Sequence, residues 1–135
     1  MTEQPTTAAI ARTFTETWTR HDMDATAGYL AEDVTFEGPV GHSVGKQAYV
    51  EGLSKFAQLV SGVKILAALG DDTQALIMYE LATPKFGTLT CAEWLTFRDG
   101  KIAADRFTYD TFPVRGGAAA TSQAPSAPNP PAPAE

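Results

Sequence analysis

An α+β domain is expected from this sequence on three observations. The first half carries apolar residues at helical spacing, the second half alternates like strands, and short turn-forming stretches separate those strands. In residues 7–21, Ile10, Phe14 and Trp18 recur four apart, on one side of a helix, while Arg12, Glu16 and Arg20 fall elsewhere. The following HDMDATAGYLAEDV offers Asp22 or Asp24 as a cap, because an aspartate oxygen accepts the free amides of a first turn. A short second helix ending around Leu30 is expected there. Val34, Phe36 and Gly38 then alternate with Thr35 and Glu37 as a short strand, closed by Pro39, which has no amide to continue a ladder. Tyr49, Leu53, Phe56 and Val60 mark a third helix from about Lys46 to Leu59, with Ser43 or Gly45 near its start.

The stretches GVKILAAL, TQALIMYELAT, TLTCAEWLTF and KIAADRFTYDTF read as successive strands joined by GDD, PKFG and RDG. Asp99-Gly100 is a strong hairpin signal, since glycine tolerates the positive φ of a tight turn, and Asp71-Asp72 is a weaker one. Helices followed by a meander predict helices covering one face of a curved antiparallel sheet. From Gly116 onward, GGAAATSQAPSAPNPPAPAE lacks aromatic and long aliphatic residues, so it cannot bury enough surface to offset its ordering entropy. The expected organisation is a flexible start (1–6), one domain (7–115) and a disordered Pro/Ala-rich tail (116–135).

With 135 residues the chain has room for one core, and 44% hydrophobic with 19% charged residues is ordinary for a globular protein. No apolar run approaches the ~20 residues a membrane span needs. A net charge of −6 without a basic patch argues against nucleic acid and anionic membranes as partners. The opening MTEQPTTAAIARTF has neither a secretory nor a transit pattern, so a cytoplasmic location is expected. Cys91 is the only cysteine, and His21 and His42 do not share a helical face, so neither a disulfide nor a metal site is expected. Small molecules and other protein chains remain as partners.

The segments ARTFTETWTRHDMDATAGYLAEDVTFEGPVG, GKQAYVEGL and EWLTFRDGKI, in that order, resemble the nuclear transport factor 2-like superfamily, and within it the SnoaL-like and ketosteroid isomerase-like proteins. The resemblance spans roughly residues 7–113. It implies a cone-shaped fold in which the curved sheet and three helices of the N-terminal half enclose a hydrophobic cavity. It further implies an enzyme doing cofactor-independent acid/base chemistry on a hydrophobic oxygenated small molecule: isomerisation, cyclisation of the polyketide cyclase kind, dehydration or epoxide opening. Because the fold alone does not select a function, a non-catalytic ligand-binding or dimeric scaffold domain is the alternative. Measured against ketosteroid isomerases, the proton-shuttling aspartate corresponds to Gly38, the oxyanion-hole tyrosine to Phe14, and the protonated aspartate of that hole to Glu93. Measured against limonene epoxide hydrolases, the arginine corresponds to Cys91, the first acid to Glu93, and the second falls near Phe107, one alternate residue from Asp105. Neither pattern is intact.

Alternation carries the reading further. If Glu93 faces the cavity, so do Leu89, Cys91, Leu95 and Phe97. Pairing then adds Ala103, Asp105, Phe107 and Tyr109 from the last strand and Met78, Glu80 and Ala82 from the strand before Glu93. Carboxylates on an apolar concave surface are costly to ionise together, so at least one should have a raised pKa, which suits general acid/base work. Glu93 is the expected primary group, Asp105 its partner, with Glu80 and Tyr109 in support. The expected substrate wall consists of Phe14, Trp18, Phe36, Phe56 and Phe107, joined by Met78, Leu89, Cys91 and Phe97 from the strands. Gly38 and His42 are placed at the mouth. Facing outward, Glu37 is read as a strand-end polar residue and Arg106 as the partner of a surface acid or of a subunit neighbour. Trp94, flanked on that outer face by Thr90, Ala92 and Thr96, predicts a homodimer.

Overall fold

The computed structural model describes residues 5–117. The chain runs α1 (Thr7–Thr19), α2 (Met23–Ala27), β1 (Leu30–Gly38), β2 (Gly41–Val44), α3 (Lys46–Ala57), β3 (Gly62–Gly70), β4 (Gln74–Thr83), β5 (Gly87–Arg98) and β6 (Lys101–Tyr109), and closes with a π-helical turn, Pro113–Gly117. Six strands form one curved, unclosed sheet in the order β2-β1-β6-β5-β4-β3, with the helices packed on one side, the α+β architecture expected. The segments expected to be a flexible start and a disordered tail lie outside the described residues, apart from Pro5, Thr6 and the two glycines that finish the terminal turn.

Local chemistry explains the helices. Thr6 caps α1 by accepting from the Ala9 amide at 3.0 Å. Thr15, Thr17 and Thr19 are buried on α1, which their hydroxyls tolerate because each donates to a carbonyl three or four residues back. Asp22 caps α2 through the Ala25 amide, and a 2.9 Å hydrogen bond between Thr17 and Thr26 ties the two helices together. The expected buried positions Phe14 and Trp18 are 0% and 1% exposed.

The first strand is longer than its alternation suggests. Leu30 already pairs with Ile102, in the parallel ladder that β1 makes with β6, and the register shifts before Thr35. That bulge interrupts the period of two, so the readable pattern starts only at Val34. Pro39 does end β1, but the chain returns at once as β2, pairing Gly38 with Gly41. At the other hairpin, Asp99 and Gly100 have φ of 54° and 76°, the paired positive values of a primed turn. The β3–β4 turn is held by Asp71, whose Oδ1 accepts from the amides of Thr73 and Gln74.

On β5 the inward set is as expected: Leu89, Cys91, Glu93, Leu95 and Phe97 are all buried. β4 is the correction. Its inward residues are Ile77, Tyr79 and Leu81, whereas Met78 and Glu80 project from the outer face. The β4–β5 hairpin pairs Thr83 with Gly87 and Tyr79 with Cys91, one residue out of step with the expected register, and a slip of one inverts every side chain. On β6 a bulge at Ala103, opposite the step from Thr96 to Phe97 of β5, likewise sends Ile102 inward in place of Ala103, while Asp105, Phe107 and Tyr109 keep their expected side.

Candidate active site

The strands and helices leave a cavity of about 450 Å³. Its mouth lies between the β1–β2 hairpin, with Gly38 and His42, and α3, with Glu51 and Lys55. Its deeper wall is built from Trp18, Phe36, Phe56, Phe107 and Tyr109. These rings meet edge-on or tilted, Phe56 to Tyr109 at 5.5 Å, Phe56 to Phe107 at 5.7 Å and Trp18 to Phe56 at 5.9 Å, so the wall is a packed aromatic surface.

Glu93 reaches the cavity with only 4% of its surface exposed. The Tyr79 hydroxyl, one strand over, donates to its Oε1 at 2.8 Å. Asp105 is the diagonal neighbour of Glu93, because Glu93 pairs with Phe107 and Leu95 with Asp105. The two carboxyls are near enough for each to shift the other's proton affinity. Asp105 is buried behind the wall, where its Oδ2 accepts from the Tyr49 hydroxyl of α3. Its Oδ1 has no hydroxyl or amide donor against it.

Burial raises the pKa of Glu93, and the hydrogen bonds from Asp105 and Tyr79 draw it part of the way back. Burial pushes Asp105 well above the usual carboxylate range, and the charge and hydrogen bond of Glu93 add to the effect. Two neighbouring buried carboxyls that both have raised proton affinity favour holding a proton on the pair. Tyr49 and Tyr79 are raised well above an ordinary phenol, first by burial and then by the carboxyls, so both remain donors. Burial, with Glu93 nearby, pushes the Cys91 thiol up to about 12, which removes it as a nucleophile.

The structure brings together most of the expected residues. Glu93, Tyr109, Trp18, Phe36, Gly38, His42, Phe56 and Phe107 line the cavity. Phe14, Leu89, Cys91 and Phe97 are buried but belong to the packed core, not to this wall. Phe14, for example, lies against the rings of Tyr29 and Tyr49, at 6.3 and 6.4 Å. Met78 and Glu80 are displaced to the other face by the β4 register. Glu37 is exposed and pairs with Arg106 at 4.0 Å, both facing outward as expected. A Cβ added at Gly38 would lie 2.8 Å from Phe36 Cζ, so the phenyl ring fills the space a side chain there would need.

Sequence reasoning missed Tyr49 and Tyr79. Tyr49 was legible only as an apolar position of α3, and its hydroxyl partner is 56 residues away. Tyr79 was turned outward by the same register slip that turned Glu80 inward; counting back from a β4–β5 pairing of Thr83 with Gly87 would have recovered it. Among the described residues no group of three or more His, Cys, Asp or Glu could hold a metal ion, and no helix is long and apolar enough to cross a membrane.

The sequence profile of the SnoaL-like domain matches residues 11–104. The chain belongs to the SnoaL-like domain family. No match was found among curated proteins. Among solved structures, this SnoaL-like domain is similar to a protein from Kribbella flavida, at 29% identity over 84% of this chain and 93% of that one, with a TM-score of 0.77. An NTF2-like protein of unknown function from Cytophaga hutchinsonii is 20% identical over 85% and 99% of the two chains, TM-score 0.71. A second Kribbella flavida protein, provisionally named a ketosteroid isomerase, is 23% identical over 94% and 83%, TM-score 0.67. The last two likenesses show a shared fold.

Proposed function

We propose that this SnoaL-like domain is an enzyme that performs cofactor-independent proton-transfer chemistry on a hydrophobic oxygenated small molecule, by isomerisation, cyclisation, dehydration or epoxide opening. The observation that carries the reading is the buried Glu93 on the wall of an aromatic cavity, with the buried Asp105 behind it. Glu93 is the catalytic base: its elevated pKa brings it toward the basicity useful near neutrality, and the apolar wall keeps competing water away. Asp105, the buried carboxyl beside Glu93, tunes its proton affinity. Tyr109, diagonal to Glu93 across β6, supplies a hydroxyl for substrate oxygen that gains negative charge. Turnover by wild type and Glu93→Gln across a panel of enolisable ketones, hydroxy ketones and epoxides tests this. A drop of about a hundredfold or more is expected with the fold intact, and equal turnover would sink the assignment.

A non-catalytic ligand-binding domain is the second reading, and a specific observation favours it. Phe14 has no hydroxyl, and Gly38 is covered by the Phe36 ring, so both positions that carry the isomerase reaction in the resembling proteins are apolar here. Retention of a lipid-like ligand with no turnover over the whole panel would favour that reading. Under either, we propose a homodimer through the outer face of the sheet, where Leu76, Met78 and Trp94 are exposed side by side.

A further inference from the structure

Glu93 and Asp105 are buried with no positive charge of the protein to balance them. Among the described residues the ion pairs are Arg20–Asp22, Lys46–Glu32, Arg98–Asp33 and Arg106–Glu37, with the acid exposed in every case. A buried carboxyl without a cation is driven toward its neutral form or toward whatever positive charge can reach it. The groups against these two are neutral hydroxyls, Tyr79 donating to Glu93 Oε1 at 2.8 Å and Tyr49 donating to Asp105. No hydroxyl or amide of the described residues donates to the second oxygen of Glu93, a residue of the cavity wall. The rest of that wall carries a complementary feature. Trp18, Phe36, Phe56, Tyr79, Phe107 and Tyr109 surround the same space. Neighbouring rings cross at 69° (Trp18 and Tyr79), 78° (Phe56 and Phe107) and 42° (Phe36 and Phe107), so they form a box instead of a parallel stack. Where a cation of the protein lies over a ring among the described residues, Lys85 on Phe86 and Arg115 on Phe112, the ring is not one of these.

We propose that the ligand of this cavity is a hydrophobic amine bound as its ammonium cation, the charged nitrogen seated among the aromatic rings and against Glu93 and the apolar body filling the remaining space. The inference rests on the assignment of the cavity as the substrate site and narrows the substrate class, adding a basic nitrogen to the hydrophobic oxygenated compound of that reading. The face of an aromatic ring is its negative side and attracts a cation, the more so where water is excluded. A cation beside Glu93 also removes the cost of burying negative charge there. Which of the two carboxyls carries a proton does not alter this, because a neighbouring positive charge favours the ionised form of either. At longer range, the net charge of −6 draws cations toward the molecule.

The cavity thereby sorts ligands of one shape by their charge. A cation gains from the rings and from the acid. A neutral alcohol gains from the apolar walls and at most one hydrogen bond, to Glu93 or Tyr109. A carboxylate meets Glu93 with no cation beside it. Lys55, the lysine lining the cavity, does not reverse this order, because it is exposed at the mouth and stands one helical turn from Glu51, which lines the mouth as well.

Calorimetric titration of the full-length protein at neutral pH with three matched probes tests the proposal: 2-naphthylmethylamine, which is protonated there, 2-naphthylmethanol, which is neutral, and 2-naphthoate. The amine should bind one to a chain, about tenfold or more tighter than the alcohol, the size of a desolvated cation–π contact joined to a charge-assisted hydrogen bond, and the naphthoate should bind least. Glu93→Gln should bring the amine-to-alcohol ratio to within about threefold, the rings still favouring the cation. Phe56→Leu, which leaves Glu93 in place, should weaken the amine about threefold or more and the alcohol by less. Equal or tighter binding of the alcohol, amine binding that does not saturate at one per chain, or a ratio unmoved by both variants would overturn the inference. The two readings fail separately. Equal binding of amine and alcohol, with turnover of the oxygenated panel lost in Glu93→Gln, removes this inference and keeps the enzyme. Amine-selective binding that depends on Glu93, with no turnover, removes the enzyme and keeps the inference. Binding of none of the probes overturns the inference and leaves the enzyme to its own turnover test.

Discussion

Asp105 has no direct contact with the cavity, yet it sets the properties of the residue that does. Its folded pKa lies above that of an unfolded aspartate because burial and Glu93 both favour the protonated form. Between those two pKa values the folded state binds more protons than the unfolded state, so stability falls as pH rises through that window. Asp105→Asn keeps an amide to donate to Glu93 and an oxygen for Tyr49, but removes the titration. The variant should therefore gain on wild type as pH climbs from the ordinary carboxylate range toward the Asp105 pKa, by about 1.4 kcal/mol per pH unit inside the window. Thermal unfolding of both proteins over a pH series measures this, and a difference that does not vary with pH would show that Asp105 is already ionised. Tyr79→Phe isolates the other carboxyl. It leaves a buried Glu93 oxygen without its donor, so Glu93 should titrate at higher pH than in wild type, as read from carboxyl chemical shifts.

At the scale of elements, the β1–β2 hairpin shows how an absent side chain shapes a site. Gly38 is needed because the Phe36 ring lies where its Cβ would be, at 2.8 Å, and that ring is part of the cavity wall. Gly38→Asp should destabilise the domain by about 1–3 kcal/mol through overpacking. Trimming the ring as well, in Phe36→Ala with Gly38→Asp, should recover part of that loss. A double-mutant cycle by denaturant unfolding reads the coupling, and strict additivity would mean that the ring does not occupy the space. The same scale shows what the sequence could carry. Helical spacing marks α1 and α3, the Asp22/Asp24 pair marks the start of α2, and Asp99-Gly100 marks the β5–β6 turn, because each of these signals is local. The face of β4 was not legible, since alternation leaves two choices and the hairpin register decides between them. For that reason the inward facing of Glu93 and Asp105, on strands joined by a well-marked turn, is legible, whereas on β4 Glu80 is read inward in place of Tyr79. The Tyr49–Asp105 contact joins a helix to a strand 56 residues on, a distance over which no periodicity speaks.

Over the whole molecule, the sheet has two unlike faces. One is buried under the helices, and the other exposes Leu69, Leu76, Met78 and Trp94, with Leu69 paired to Leu76 and Leu76 to Trp94 across three adjacent strands. If a second copy covers this patch, Leu76→Asp should convert the dimer to monomer with the cavity and its ligand preference intact. Sedimentation velocity over a concentration series checks this; a wild-type protein that stays monomeric throughout would remove the proposed dimer.

The order of strands has a consequence for how such a protein can change over generations. Glu93 and Asp105 sit on β5 and β6, the two middle strands, whereas the rim of the cavity is drawn from the short β2 at the margin of the sheet and from one side of α3. Replacements at Val40, His42 or Glu51 alter what can enter without disturbing the ladders that hold the acids. The two buried acids are thus held by the central ladders while the cavity's opening is held by the margin, so the entrance can be altered without touching the acids' supports.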